Sequence, residues 1–481
     1  MRSFFISRFL DNQILLCYTI IVNLDRRCHF MRSRNMLEGP LLGNMISYTI
    51  PIILTGVLQL LFNAADLVIV GRYCGELSVA AVGNCSSLTN LLVNLFIGLS
   101  VGTTVAVAHS IGAGSPEAVS HTVHTALPTA LVSGLVVGFI GVTFSETFLQ
   151  MMDTPETVLP LSALYMKIYF LGMPFTMVYN FSASILRATG DTKSPLILLA
   201  MAGVINVVLN VIFVTQLDMN VAGVALATTI SQAVAAVLVV IALMKRNDAC
   251  RLILSKMRFY KPQLLKIIRV GLPAGIQSAL FSISNVIIQS SINSFGDVLM
   301  SGNAASANIE GFIYITVNAF HQTALNFISQ NAGAKQYKRV SRILCLSLAS
   351  VFVVGASISA FAYLMGPTLL SIYIPDSPEA LQWGMIRLTC LCIPYFICGL
   401  MDVSTGSLRG MGASVAPMVI SVLGVCGIRI GWICTIFQIP RFHTPQSLYY
   451  SYGISWTVTF LIQMIAFFLV YRKRTKQDIF T

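Results

Sequence analysis

Charge is scarce in this chain: Asp, Glu, Lys and Arg make up 10% of its 481 residues, where a soluble globular domain carries roughly 25%. So little charge cannot clothe a water-facing surface of this length, which excludes a soluble fold. Several catalytic signatures are missing too. There is no G-x-x-x-x-G-K-[ST], no H-E-x-x-H and no G-x-S-x-G, hence no loop to cradle ATP phosphates and no familiar membrane hydrolase. Transport powered by the chain's own ATP hydrolysis is excluded, and no enzymatic activity is expected. The 11 cysteines form no C-x-x-C pair and have no histidine at metal-ligand spacing; they read as small apolar side chains.

Apolar residues are plentiful, at 56%. Runs of the roughly 20 residues needed to cross a bilayer recur along the chain, clearest at Ile46–Val70, Ala126–Phe144, Leu196–Val214, Val221–Met244, Leu344–Met365 and Tyr449–Val470. Twelve spans fit, near 46–70, 80–108, 122–145, 161–183, 195–216 and 221–244, then 265–291, 302–330, 343–365, 385–406, 415–438 and 449–471. The net charge of +12 would suggest nucleic acid in a soluble protein, but its distribution says otherwise. With a cytoplasmic N-terminus and twelve spans, 25 of the 30 Lys and Arg fall on the cytoplasmic side, two (Arg72, Arg441) outside, and three (Lys167, Arg387, Arg429) within or at the edge of spans. That positive-inside bias fixes parity and orientation, with both termini cytoplasmic. The run ILLCYTIIVNL near the start is too short to span and has no cleavage site after it; Met31 or Met36 are alternative starts.

Short patterns recur about 222 residues apart: Pro51 with Pro273, DTPE from Asp153 with DSPE from Asp376, Leu186-Arg187 with Leu408-Arg409, Pro195 with Pro417, and Lys167 with Arg387, each seven residues before a proline (Pro174, Pro394). Repeated coincidence at one offset implies duplication. Six spans return the chain to its starting side, so both copies insert the same way round. The expected fold is an all-α integral membrane protein, with twelve transmembrane helices in two pseudo-symmetric six-helix lobes, a plan typical of alternating-access transporters. Its parts are an N-terminal cytoplasmic segment (1–44), an N-lobe (45–244), a cytoplasmic linker (245–264), a C-lobe (265–471) and a cytoplasmic tail (472–481). In the linker region KMRFYKPQLLK is expected to lie amphipathically at the headgroups.

Of the 18 carboxylates, Asp66, Glu310 and Asp402 stand plainly inside spans. Each costs roughly 2.5 to 3.5 kcal/mol at mid-helix, so each needs a partner, a proton or water. Thr55, Gln59, Asn63 and Asp66 fall within about 80° on the first helix, a polar stripe that faces a cavity or another helix. Alternatively Asp66 snorkels to the outer interface or pairs with Arg72. Asn206 and Asn210 share a face of the fifth helix, with Thr228 on the sixth. Beside a carboxylate such oxygens suit a hard cation such as Na⁺ or a held proton, or they serve as interhelical glue. Glu310, Tyr314, Asn318 and His321 also lie within about 80° on the eighth helix. Asp402 and Arg429 are expected to form a structural intramembrane ion pair. His121 and His124 read as solvated residues at a helix start, without a role.

The run from Gln59 through VGRYCGELSVAAVGNCSSLTNLLVNLFIGLSVGTTVAVAHSIGAG, the ILRATGDTKSP segment, ASANIEGFIYITVNAFHQTALNFISQNAGA and SLRGMG together resemble the multidrug and toxic compound extrusion (MATE) transporters of prokaryotes, over about residues 36–471. The resemblance implies a secondary antiporter of the inner (plasma) membrane that expels small organic cations in exchange for Na⁺ or H⁺. It implies no other cofactor, a lipid bilayer around a monomer, and no nucleic-acid partner. On it, Asp66 matches the N-lobe carboxylate that exchanges coupling ion and substrate, with Asn206, Asn210 and Thr228 as companions and Na⁺ expected at Asp66, Asn206 and Asn210. Gln59, Asn63, Glu310, Tyr314, Asn318 and His321 are expected to line the substrate cavity. Two positions depart from the pattern. The seventh-helix stretch LPAGIQSALFSISNV offers only Gln277, Ser282, Ser284 and Asn285 where some subgroups have a glutamate, and Asn210 stands where some have a carboxylate. A lipid-linked precursor flippase of the same repeat plan, or an ion channel, are the competing readings.

Overall fold

Helix follows helix from Leu41 to Ile479, and no strand occurs among the described residues. The computed structural model describes residues 36–152, 154–375 and 377–479; the N-terminal stretch over 1–35, and Asp153 and Asp376 of the repeated pattern, lie outside them. In chain order the helices are α1 (Leu41–Tyr73), α2 (Glu76–Gly112), α3 (Pro116–Met151), α4 (Leu159–Leu171), α5 (Met173–Ala188), α6 (Lys193–Thr215) and α7 (Asn220–Met244). The second set is α8 (Lys261–Asn293), α9 (Asp297–Gly333), α10 (Tyr337–Leu364), α11 (Gly366–Tyr373), α12 (Pro378–Cys392), α13 (Tyr395–Gly410), α14 (Val415–Ser421), α15 (Ile428–Cys434) and α16 (Pro445–Ile479).

Among the described residues nine helical stretches are long and apolar enough to cross a membrane, with Val415–Gln438 one of them; the bent pairs α4–α5 (47°) and α12–α13 (44°) bring the number to eleven. The remaining expected span falls on α9, which is 37 residues long but interrupted by Asn303, Glu310, Asn318 and His321. Both bends sit where the sequence repeats a proline, Pro174 and Pro394. A proline removes a backbone donor and pushes the residue before it away from helical geometry. Gly75 (φ 81°) and Gly296 (φ 95°) each turn the chain into the second helix of a lobe. That left-handed conformation is open to glycine at no steric cost, and the two positions stand 221 residues apart in numbering, so the duplication is visible in the backbone. Serine caps open two helices: Ser115 accepts from the Ala118 amide and Ser377 from the Ala380 amide, each followed by a proline at the first helical position.

Each lobe has its own apolar core. The first helix of each lobe strays across: Met45, Tyr48 and Ile52 of α1 join the C-lobe core, and Ile267 of α8 joins the N-lobe core. The lobes meet in a seam of glycine against glycine. Gly98 and Gly102 of α2 lie against Gly275, Gly271 and Ile267 of α8, so close that a Cβ on Gly98 would fall 2.2 Å from the Gly275 nitrogen. Small residues four apart let helix backbones approach in this way. Polar bonds add to it, the first two related by the repeat. The Gln330 amide donates to the Ala188 carbonyl at 2.6 Å, while His109 Nε2 lies 2.7 Å from the Gly410 carbonyl. Thr49 and Thr323 hydroxyls meet at 2.8 Å, and Tyr48 donates to the Arg187 carbonyl at 2.9 Å. All of this lies at the end where the linker joins α7 to α8. Towards the other end the lobes part. Gly56, Leu60 and Asn63 share one face of α1; Gly56 meets Ile315 and Leu60 approaches Gly311 of α9, whereas Asn63 is exposed. A cleft therefore opens between the lobes beyond Leu60.

The linker corrects one expectation. His124 is not solvated but 1% exposed: Nδ1 lies 2.7 Å from the Ser120 carbonyl and Nε2 accepts from the Ile253 amide at 3.0 Å. His121 stacks on Tyr260, with centroids 3.9 Å apart, and Arg258 covers the same ring. The two histidines hold the linker onto α3. KMRFYKPQLLK is likewise divided, its second half forming the first turns of α8, which begins at Lys261. Between α7 and this clasp, burial would raise the Asp248 carboxyl, but hydrogen bonds and charge from Arg246 outweigh it and hold the acid below its usual range.

Candidate functional site

The polar residues expected around Asp66 converge. Asp66 is half-buried, seven residues from the end of α1; its carboxylate accepts a hydrogen bond from the Asn210 amide and lies 3.5 Å from the Thr228 hydroxyl, whose proton can go to it or to the Val224 carbonyl at 3.0 Å. Asn210 also donates to Asn206 Oδ1 at 3.3 Å, and Asn206 donates to the Thr228 hydroxyl at 3.3 Å. Helices α1, α6 and α7 thus close a ring of one acid, two amides and a hydroxyl. The ring forms because Asn206 and Asn210, one turn apart on α6, both turn inward and are buried. Neither alternative holds: Asp66 makes no ion pair with Arg72, and it points at α6 and α7. Asn210 Oδ1 is buried without a hydrogen-bond partner among the described residues. An orphaned carbonyl oxygen beside a carboxylate is the donor chemistry a hard cation takes up. Of the rest of the stripe, Thr55 is buried and bonds its own helix at Pro51, while Gln59 and Asn63 are exposed.

The C-lobe overturns two expectations. Glu310 is not free to line a cavity. Its two oxygens receive Arg387 Nε at 2.7 Å and Nη2 at 2.8 Å, a buried two-pronged ion pair across α9 and α12. Asn303 accepts from Arg387 at 2.5 Å and from the Tyr449 hydroxyl at 3.2 Å, completing a structural strut. Asp402 and Arg429 form no ion pair either. Arg429 donates from Nε to Ser455 at 3.1 Å and lies over the Tyr452 ring at 3.9 Å, with Trp456 beyond. A guanidinium can be held by aromatic faces in place of an anion, and here it is. Asp402 acts through space on Arg409 instead. His321 is buried, its Nδ1 2.7 Å from the Asp402 carbonyl. Tyr314 is exposed, one turn before Asn318 on the same face of α9.

Gln277 accepts from Arg409 Nη2 at 2.8 Å, and Ser284 Oγ is buried without a partner among the described residues. Arg387 and Arg409 are buried arginines whose partners, Glu310 and Gln277, sequence reasoning passed over, although the repeat pairing with Lys167 and Arg187 had marked both positions.

Comparison with known proteins is consistent with this twofold plan. A sequence model of the MatE family matches the chain twice, over residues 51–212 and 273–433, once in each lobe. The chain belongs to the MatE family. This MatE protein is 26% identical over 442 residues to the "Probable multidrug resistance protein YpnP" of Bacillus subtilis, an alignment covering 92% of this chain and 97% of the relative. Its fold matches that of a solved transporter of the MOP superfamily from Pyrococcus furiosus, with a TM-score of 0.86 at 19% identity over 92% of this chain and 99% of the other. It also matches the Vibrio cholerae MATE transporter VcmN in its bent form, with a TM-score of 0.81 at 19% identity over 90% and 97%. The resemblance stated from sequence is therefore borne out in family and fold: this is a multi-pass membrane protein of a transporter family.

Proposed function

We propose that this MatE protein is a secondary active multidrug efflux transporter of a prokaryotic plasma membrane, its termini cytoplasmic, exporting organic cations in exchange for Na⁺ or H⁺ by alternating access. The observation that carries the reading is the Asp66 ring: a half-buried carboxylate within a membrane-spanning helix, bonded among the described residues only to neutral donors. An intramembrane acid without a basic partner marks an ion or substrate path. Such a group takes one positive charge at a time. A proton on the carboxylate removes its charge. Na⁺ would draw on Asp66, Asn206 Oδ1 and the Thr228 hydroxyl, with Asn210 turning its unpartnered oxygen inward. An organic cation entering from the cleft competes for the same anion, and that competition, combined with different affinities in the two lobe arrangements, couples the fluxes. The names of the bacterial relatives support the cargo class.

The test is efflux of a fluorescent organic cation from proteoliposomes under an imposed Na⁺ gradient or an imposed pH gradient, for the wild type and Asp66→Asn. Efflux driven by one gradient and reduced to background in the variant is expected. Undiminished gradient-driven efflux in Asp66→Asn would remove the ring from the mechanism.

A further inference from the structure

A groove on the outside of the C-lobe belongs to neither the Asp66 ring nor the seam between the lobes. It encloses about 820 Å³ behind a predominantly apolar lining, where the α12–α13 bend (Ile393, Pro394) faces α16 (Gly453, Ile454, Thr457) and Trp432 of α15 closes one side. The bend makes the space. Pro394 breaks the span at 44°, and Gly453 opposite it has no side chain to fill the gap: the nearest atom to a Cβ there would be Pro394 Cγ at 3.8 Å.

The groove opens towards lipid. Tyr449, Tyr452 and Trp456 turn one face of α16 into the C-lobe, where they meet Asn303 and Arg429. At 100° per residue Ile454 and Thr457 lie on the opposite face. That face continues as Leu461, Ile465 and Phe468, each more than half exposed, and an exposed apolar face on a membrane span is covered by acyl chains. The groove also has the depth of one leaflet. Its lining residues on α16 run from Ser447 to Val458, a rise of about 16 Å, against half of a hydrocarbon core roughly 30 Å thick.

Its mouth carries charge. The far end of α16 lies at the linker side, since a Cβ on Gly412 would stand 3.5 Å from Arg474 and 3.9 Å from His109 of the seam, so the start of α16 and the turn before it lie at the other side. In that turn Phe442 joins the lining while Arg441 is exposed. No Asp or Glu occurs between Asp402 and Asp478, and Arg441 forms no ion pair among the described residues. An apolar slot one leaflet deep, with a cation at the headgroup level and Trp432 and Tyr450 beside it, matches an amphiphile with one anionic end.

We propose that this groove is a binding site for an anionic phospholipid of the leaflet away from the linker, one acyl chain lying along the α12–α13 bend and the phosphate held at Arg441. The site is independent of what the protein transports.

The test reads tryptophan fluorescence in the full chain with Trp383→Phe and Trp456→Phe, which leaves Trp432 as the single reporter. The protein is reconstituted in phosphatidylcholine bilayers containing a minor fraction of phosphatidylglycerol brominated at mid-chain, or the same fraction of brominated phosphatidylcholine; bromine quenches an indole it touches. Trp432 is expected to report an apparent affinity about fivefold higher for the glycerol lipid, the worth of one basic residue facing an anionic headgroup. Arg441→Gln abolishes that preference while quenching by both lipids persists. Gly453→Leu fills the slot and weakens quenching by both, whereas Gly453→Ala, whose methyl group meets nothing closer than 3.8 Å, behaves as the parent. A reporter at Phe139→Trp on the exposed side of α3, with Trp432→Phe added, shows no preference. Equal affinities at Trp432, or a preference that survives Arg441→Gln, overturns the headgroup contact and with it the site. Quenching unchanged in Gly453→Leu overturns the seat in the groove. A Trp432 that neither lipid quenches would mean that a second copy of the chain or a cargo molecule covers the groove instead.

Discussion

Glu310 and Arg387 show how a single residue's role depends on what lies far away in the chain. Their ion pair is buried and two-pronged, with a further acceptor in Asn303, so removing one partner strands a charge in a medium that cannot solvate it. Glu310→Gln is expected to cost about 3–5 kcal/mol, seen as a lowered midpoint of thermal unfolding in detergent, whereas Glu310→Leu combined with Arg387→Met comes much closer to wild type. If Glu310→Gln were as stable as wild type, the strut would be dispensable and Glu310 would return as a cavity residue. The sequence could not show this pair, since the partners stand 77 residues apart on different spans and no spacing rule links them. Asp66 was legible for the opposite reason. Its partners on α6 are four residues apart on one helical face, and an acid beside them among apolar residues has few other places to point. His124 was misjudged because the Ile253 amide that buries it belongs to a linker 129 residues away.

The helices were legible as elements because bilayer length, the repeat and the paired prolines each constrain them separately, and the bends at Pro174 and Pro394 fall where that logic puts them. What periodicity did not reveal is which faces touch. The glycines of α2 and α8 look like ordinary small residues in an apolar run, yet they set how near the lobes come. A Cβ at Gly275 would stand 1.9 Å from the Leu95 carbonyl oxygen and 2.9 Å from its carbon, backbone atoms that cannot rotate aside. Overpacking of this kind costs about 1–3 kcal/mol, roughly tenfold to a hundredfold in an equilibrium between two lobe arrangements. Gly275→Ala is therefore expected to open the linker end while leaving each lobe folded. Spin labels on Glu117 and Lys338, one per lobe, in a background with the native cysteines replaced, report it as a shift to longer distances. An unchanged distance distribution would mean that the seam does not govern closure.

At the scale of the molecule, two pseudo-symmetric lobes are closed at the linker end, and the Asp66 ring lies in the N-lobe beyond Leu60, where the contact along α1 ends. Alternating access requires this closure to be transient. A structure closed at one end explains binding from the open side but moves nothing by itself, because a ligand shifts an equilibrium only when both arrangements are reachable. The hydroxyls of Thr49 on α1 and Thr323 on α9 meet at 2.8 Å across the seam, close enough for cysteines at the two positions to be joined by a disulfide. In a variant with Thr49→Cys and Thr323→Cys and no other cysteine, oxidation should lock the linker end shut. Gradient-driven efflux is then expected to fall to background and to recover on reduction, while fluorescence anisotropy shows the fluorescent cation still bound from the open side. The two readouts separate a blocked cycle from a damaged site: loss of binding would mean that the bridge distorts the cleft. Efflux persisting with the bridge fully formed would mean that cargo crosses without this seam parting, and rocking of the lobes about it would have to be abandoned.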